Sequence, residues 1–341
     1  MQSIVKILQR VVTLIAVVLL CASCKNAYLP SLGSSPWKVV QLPTEATIQD
    51  VAFTGDRDRG WLVGSNATLL ETNDGGDTWE PRYLDLDSEM TRLTSISFSG
   101  DEGWMVGMPS IMLHTTDGGS SWSEIPLSNK LPGTTKTILA LGPDAAEMTT
   151  DLGAIYRTED GGRNWKAMVQ SAVGVYRNIS RSSDGQYVTV SANGNFYSTW
   201  EPGQDAWVQH NRNNSKRLQK MGFTADNRLW LLARGGVLQF SNTVNPETPE
   251  DWQESQQPEF ASSIGFLDLS YRTPEEIWVA GGSGNLLVSF DGGETWEKDR
   301  TVEDVPANFY QIDFETPESG FAIGNGGVLL KYELNSEKPT A

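Results

Sequence analysis

Seven tryptophans, Trp37, Trp79, Trp122, Trp165, Trp207, Trp252 and Trp296, recur along this chain at steps of 42 to 45 residues. A period near 43 residues matches one four-stranded propeller blade and is far too long for a heptad or a leucine-rich turn. Seven periods predict an all-β chain folded as a seven-bladed β-propeller, with four antiparallel strands per blade.

The unit reads most clearly around Trp104. Leu93, Ser95, Ile96 and Phe98 mark an inner strand, Ser99-Gly100-Asp101-Glu102 a polar turn, and Gly103-Trp104-Met105-Val106-Gly107 a second strand. After a short turn come Ile111-Met112-Leu113-His114, then Thr115-Thr116-Asp117-Gly118-Gly119-Ser120-Ser121 leading into Trp122. Short strands with apolar alternation, punctuated by Gly, Asp and Ser, describe a β-meander and not helices.

The last of these turns returns as Thr72-Asn73-Asp74-Gly75-Gly76-Asp77-Thr78-Trp79, as Thr158-Glu159-Asp160-Gly161-Gly162-Arg163-Asn164-Trp165, and as Ser289-Phe290-Asp291-Gly292-Gly293-Glu294-Thr295-Trp296. It resembles the Asp-box, or bacterial-neuraminidase repeat. The carboxylate can accept turn hydrogen bonds, glycine tolerates positive φ, and the tryptophan ring can bury itself between sheets. Asp74, Asp117, Asp160 and Asp291 are therefore expected to be structural, because a turn that satisfies itself has nothing left for chemistry. Two blades have lost the motif, at residues 198–206 and 241–251.

The last repeat supplies three strands and no terminal tryptophan, whereas Trp37-Lys38-Val39-Val40 precedes any inner strand. The N-terminal strand is thus expected to complete the last blade, closing the ring without a long free edge.

The first residues are different. Lys6 and Arg10 precede an apolar run over residues 11–20, which is short for a membrane span but suits a signal-peptide core. Ala22-Ser23-Cys24 resembles a bacterial lipobox, with Cys21 standing where leucine is usual. The expected organisation is a lipoprotein-type leader over 1–23, lipidation at Cys24, a flexible tether over 24–36, the propeller over 37–334 and a tail over 335–341.

Net charge is −17, but it is unevenly spread: residues 157–234 hold 11 Lys/Arg against 6 Asp/Glu, which leaves 15 against 37 elsewhere. A basic sector in an acidic ring suits a partner of opposite charge. In a blade, the b–c hairpins and the linkers to the next blade lie on one face, and the Asp-boxes on the other. Arg212, Lys216 and Arg217 fall in a linker, Arg177 opens an inner strand, and Arg234 sits in the hairpin Ala233-Arg234-Gly235-Gly236. All five are expected on one face. Arg181 and Arg157 fall nearer the other ends of their strands and rank second as partner-binding residues. The competing reading is that these cations only solubilise the fold or pair with nearby carboxylates.

No catalytic constellation is legible. The two histidines, His114 and His210, lie in no metal-ligand pattern, and there is no nucleophile elbow or phosphate loop. No metal, cofactor or catalytic residue is expected. A sialidase, the main enzymatic rival because of the Asp-boxes, lacks its Arg-Ile-Pro motif here. Nucleic acid is not expected as a partner of so acidic an exported chain.

The leader, the seven blades, the Asp-boxes, the run Tyr176-Arg177-Asn178-Ile179-Ser180-Arg181-Ser182-Ser183-Asp184-Gly185, and the strands Trp230-Leu231-Leu232-Ala233-Arg234-Gly235-Gly236 and Ile277-Trp278-Val279-Ala280-Gly281-Gly282 together resemble the photosystem II assembly and stability factor family of cyanobacteria and chloroplasts. The resemblance implies a non-enzymatic factor on the lumenal side of the thylakoid membrane, anchored by lipid, and a monomer is expected. Its implied partner is a newly made precursor of a reaction-centre subunit. The family's arginine patch carries over to Arg177, Arg181, Arg217 and Arg234, and less directly to Arg212 and Arg157. An exported protein-binding scaffold propeller unrelated to photosynthesis is the alternative, with an Asp-box glycosidase or glycan-binding protein ranked behind it.

Overall fold

Most second strands of the repeat are apolar runs, and in the computed structural model they are buried on both faces, as in Gly60–Gly64, Leu229–Ala233 and Ile277–Gly281. A strand without a polar face must be covered on both sides, and here adjacent blades cover it. The structure describes residues 29–87, 89–212, 215–258 and 265–334. Seven antiparallel sheets form the ring, six of them four-stranded.

The inner strands of blades 1 to 7 begin at Ile48, Arg92, Thr135, Tyr176, Leu218, Phe266 and Phe309. Blade 5 departs from four strands: its sheet has three, and the outer strand is reduced to the bridges Leu238↔Gln256 and Ser241↔Trp252. The longer connection there contains a 3-10 turn, Pro249–Asp251, and its prolines cannot donate to a ladder.

The tryptophan period has a packing cause. Three of the outer tryptophans meet, edge-on, the second-strand tryptophan of the preceding blade. Trp122 lies 6.1 Å from Trp61 at 88°, Trp165 lies 5.9 Å from Trp104 at 84°, and Trp37 lies 5.4 Å from Trp278 at 84°. Such T-shaped pairs gain beyond simple burial. The Asp-box holds the turn close enough for this. Gly119, at φ +87°, passes so near Trp61 that a Cβ there would fall 2.5 Å from the indole. The wedge between blades 3 and 4 breaks the rule, with Glu147 standing at the tryptophan position of blade 3.

In the four Asp-boxes the hydroxyl two residues before the aspartate donates to one carboxylate oxygen, and the residue four positions after it donates to both. For Asp74 these are Thr72 Oγ1 at 2.7 Å, Thr78 N at 2.9 Å and Thr78 Oγ1 at 2.6 Å. Asp117, Asp160 and Asp291 repeat the pattern with Ser121, Asn164 and Thr295. Hydrogen bonds from Thr78 and Ser121 hold Asp74 and Asp117 at about 2, below the ordinary 3.8. A carboxyl depressed in the folded state contributes stability that is full above its unfolded value and is lost as pH falls through the folded one. The contribution of these turns should therefore fade between about pH 4 and pH 2. Thermal melting against pH checks this: Asp74→Asn with Asp117→Asn should melt lower at pH 7 and decline less steeply on acidification than the native chain.

Ring closure is as expected. Trp37–Gln41 pairs antiparallel with Val328–Tyr332, completing blade 7 as its outer strand. Trp37 is 5% exposed and packs against Trp278, Phe314 and Tyr332. Trp37→Ala should cost about 3–5 kcal/mol by chemical denaturation, and deletion of residues 36–42 should abolish the cooperative transition.

The segment expected to be a flexible tether is fixed over its described part. Ser31 forms a parallel bridge with Lys298, Lys298 N donates to Pro30 O at 2.8 Å, and Leu32 N donates to Lys298 O at 2.9 Å. Ser35 Oγ donates to the Asp299 carboxylate. The chain before blade 1 thus lies along the outer strand of blade 6, Glu297–Lys298, which offers it a free edge. The leader, Cys24, residues 25–28 and the tail 335–341 lie outside the described residues.

Candidate partner-binding face

Every inner strand begins with a one-residue bulge, between Ile48 and Asp50 in blade 1, Leu93 and Ser95 in blade 2, Thr135 and Thr137 in blade 3, and Tyr176 and Asn178 in blade 4. The same irregularity follows Leu218, Phe266 and Phe309. A bulge leaves one residue out of the ladder and re-aims its side chain. The residue after it ties the blade to its neighbour: Asp50 accepts from Ile96 N at 3.0 Å, Asn178 from Met221 N at 2.9 Å, and Asp268 from Ile312 N at 3.0 Å.

Arg177 is the bulged residue of blade 4. It is exposed, and Nη2 donates to Ala192 O at 3.2 Å in the second hairpin of its own blade. Arg217 reaches the same hairpin from the far side, with Nη1 donating to Asn193 O at 3.1 Å. Arg234 N donates to Arg217 O at 2.9 Å, which places the blade 5 hairpin directly beside. Arg212 Nη1 donates to Lys216 O at 3.4 Å in the linker. Arg177, Arg217 and Arg234 therefore converge around residues 192–194, with Arg212 and Lys216 in the adjoining linker. Gly194 makes the close approach possible: at φ +68° it would place a Cβ 2.3 Å from Leu218 O.

The guanidinium groups of Arg177, Arg212 and Arg217 are steadied by backbone carbonyls. Among the described residues, none of Arg177, Arg212, Arg217 and Arg234 forms an ion pair. Several arginines elsewhere are neutralised, Arg59 and Arg82 by Glu71, Arg228 by Asp226, and Arg272 by Glu276. A guanidinium held by one carbonyl keeps further N–H groups in a rigid fork, suited to a carboxylate or a peptide carbonyl.

Arg181 and Arg157 are placed differently. Arg181 Nε lies 2.8 Å from Glu147 Oε2, Arg157 Nη1 lies 3.5 Å from Glu147 Oε1, and Tyr187 OH donates to the same carboxylate at 3.0 Å. Glu147 is buried, so both arginines are anchored in the wedge between blades 3 and 4. Their guanidinium groups are already committed to a buried carboxylate.

The structure adds two cations that the sequence reading passed over. Lys136 is the bulged residue of blade 3, at the position Arg177 holds in blade 4. Burial lowers its pKa, and repulsion from Arg92 lowers it further, against an opposing pull from Asp151. Arg92 itself begins blade 2 and is exposed. The matching runs Thr135-Lys136-Thr137 and Tyr176-Arg177-Asn178 were the available signal. Apolar side chains accompany these cations: Val175, 65% exposed, immediately precedes Tyr176. Tyr83 and Met90 are exposed in the linker between blades 1 and 2.

The model of the family described as "Photosynthesis system II assembly factor YCF48" matches residues 29–333. The chain is 60% identical over 335 residues to a photosystem II assembly lipoprotein, Ycf48, of Trichormus variabilis, covering 98% of this chain and 97% of that one. This chain belongs to the Ycf48 family. A Synechocystis Ycf48 lipoprotein is 63% identical over 330 residues, 97% of this chain and 95% of its own. A solved structure described as YCF48 bound to D1 peptide superposes with a TM-score of 0.86 at 56% identity, covering 90% of this chain and all of that one. YCF48 from Cyanidioschyzon merolae gives 0.83 at 40% identity, covering 88% of this chain and 99% of its own. A virginiamycin B lyase at 13% identity and a TM-score of 0.66 shares the propeller fold alone. Family membership removes the alternative of a scaffold unrelated to photosynthesis.

Proposed function

We propose that this chain is a non-catalytic photosystem II assembly factor whose arginine-bearing face captures the newly made precursor of the D1 reaction-centre subunit. The observation that carries the reading is the cluster Arg177, Arg217 and Arg234, exposed side by side and without ion pairs among the described residues, in a chain of net charge −17. Leaving such cations unneutralised where carboxylates are abundant suits a partner that supplies the anion or carbonyl. Val175 beside them gives an apolar side chain of the client a place to rest. The YCF48 relative described as bound to D1 peptide supports the choice of client. Cys24, in its lipobox-like setting, is the residue that would carry the anchor, as the name of the lipoprotein relatives supports. The lumenal side of the thylakoid membrane follows from an exported chain and a thylakoid client.

The mechanism needs no chemistry on the client. Rigid blades lower the ordering cost of binding, and exposed charge permits fast association and release. The Asp-boxes take no part, since their carboxylates are spent within their own turns. The test is a pulldown with the tagged, lipid-bearing chain from detergent-solubilised thylakoid membranes, read by mass spectrometry. Precursor D1 enriched over mature photosystem II is the expected result. Recovery of mature complexes alone, or of no D1, would overturn the reading.

A further inference from the structure

The path of the chain before blade 1 fixes where an anchor must leave the disc. Residues 30–32 pair in parallel with Lys298 in the outer strand of blade 6, and that strand starts at the Asp-box ending in Trp296. Parallel pairing puts Leu29 at the Asp-box end. Leu29 and Pro30 accordingly share a cavity with Glu294, Thr295, Trp296 and residues 253–258 of blade 5. The N-terminal chain therefore departs from the rim between blades 5 and 6, on the side opposite to Arg177, Arg217 and Arg234.

Cys24 precedes Leu29 by five residues, a span of about 18 Å at full extension. The strands of a blade rise about 17 Å over five residues before their turns are added. A leash of that length reaches a bilayer directly at the Asp-box end, whereas a bilayer laid against the arginine face would demand its full extension. A second feature stands at the same edge. The residue before the aspartate is Asn73, Thr116 and Glu159 in three Asp-boxes, but Phe290 in blade 6, where it is 51% exposed. Val244, in the corresponding turn of blade 5, is 43% exposed.

We propose that the Asp-box edge of blades 5 and 6, headed by Phe290, rests on the lipid surface, so that the arginine face is turned away from the bilayer. This rests on Cys24 bearing the lipid. An exposed aromatic ring is at home at the headgroup boundary, where it adds apolar contact to a single anchor. The exposed carboxylates nearby, Glu254, Glu275 and Glu294, stay in water and make a neutral headgroup preferable to an anionic one. A membrane-bound client would then meet the arginines through segments that project from the bilayer.

The experiment uses the full lipid-bearing chain on phosphatidylcholine vesicles, with one nitroxide at Phe290→Cys or at Val175→Cys. Lipidation blocks Cys24, and Cys21 departs with the leader, so the introduced thiol is the labelled one. The ratio of oxygen to nickel-complex collision rates should be clearly higher at 290 than at 175, and the difference should shrink when phosphatidylglycerol is added. Equal ratios on chains that float with the vesicles, or a higher ratio at 175, overturn the orientation while leaving the anchor intact. Chains that fail to float, with an unmodified Cys24 by mass, overturn the anchor and the orientation with it.

Discussion

Replacing Arg177, Arg217 and Arg234 together by alanine is expected to weaken binding of D1 peptide by about 100-fold or more, with the melting temperature unchanged. A hydrogen bond to a charged group contributes about 1.5–3 kcal/mol, so two lost contacts already exceed two decades in Kd. The fold should tolerate the change, because these side chains are exposed and their described partners are carbonyl oxygens of surface hairpins. Fluorescence anisotropy with peptides tiling the lumen-exposed segments of D1, repeated across ionic strength, is the check. The native chain should show binding that weakens with salt, and the triple variant a flatter dependence. A folded triple variant that binds as the native chain does would remove these arginines from the site.

The second large effect is on stability and falls at Glu147. It occupies the position that tryptophan holds in blades 1 and 2, is 7% exposed in its side chain, and meets Arg181, Arg157 and Tyr187. Glu147→Ala leaves Arg181, itself only 20% exposed, without its carboxylate partner in a wedge lined by Ile138, Ile179 and Tyr187, with the Ser182 carbonyl as its remaining acceptor. Removing one partner of a buried pair costs about 3–5 kcal/mol, because the remaining charge keeps its desolvation penalty without compensation. For a domain of this size the melting temperature should fall by about 5–8 °C. Adding Arg181→Met to Glu147→Ala should recover much of the loss, since the stranded charge is then gone. A double variant no more stable than the single one would show that the wedge depends on the ion pair itself.

These two experiments separate arginines that the sequence alone had grouped. Arg181 lies four residues from Arg177, and a charge count over residues 157–234 treats them alike. Their difference comes from Glu147, which pairs with Arg157 across one sheet and with Arg181 across a gap between blades. No local spacing announces a contact of the second kind. The propeller, by contrast, was legible because each outer tryptophan packs on the preceding blade. A packing contact repeated once per blade leaves a period in the sequence. The Asp-boxes were legible for a similar reason, since the hydrogen bonds to each aspartate carboxylate from its own turn come from residues within four positions.

The outer strand of blade 5 failed this test. Trp252 keeps its place in the period, but the residues before it loop through Pro246 and Pro249 and leave two bridges. The tether failed it too, because a Ser, Pro and Gly composition says nothing about the free edge of Glu297–Lys298 that receives it. Lys136 was missed although its place in the repeat matches that of Arg177. Aligning the blades on their inner-strand bulges, and not on their tryptophans, would have found it.

The most direct test of the central claim is site-specific photocrosslinking during D1 synthesis. Benzoylphenylalanine is placed at Val175, beside the arginine cluster, or at Thr116, exposed in the Asp-box of blade 2. Membranes are pulse-labelled and illuminated, and D1 is recovered by antibody. Crosslinks to precursor D1 from position 175 and none from 116 are the predicted result. Crosslinks from 116 with none from 175 would place the client on the Asp-box face and contradict the account.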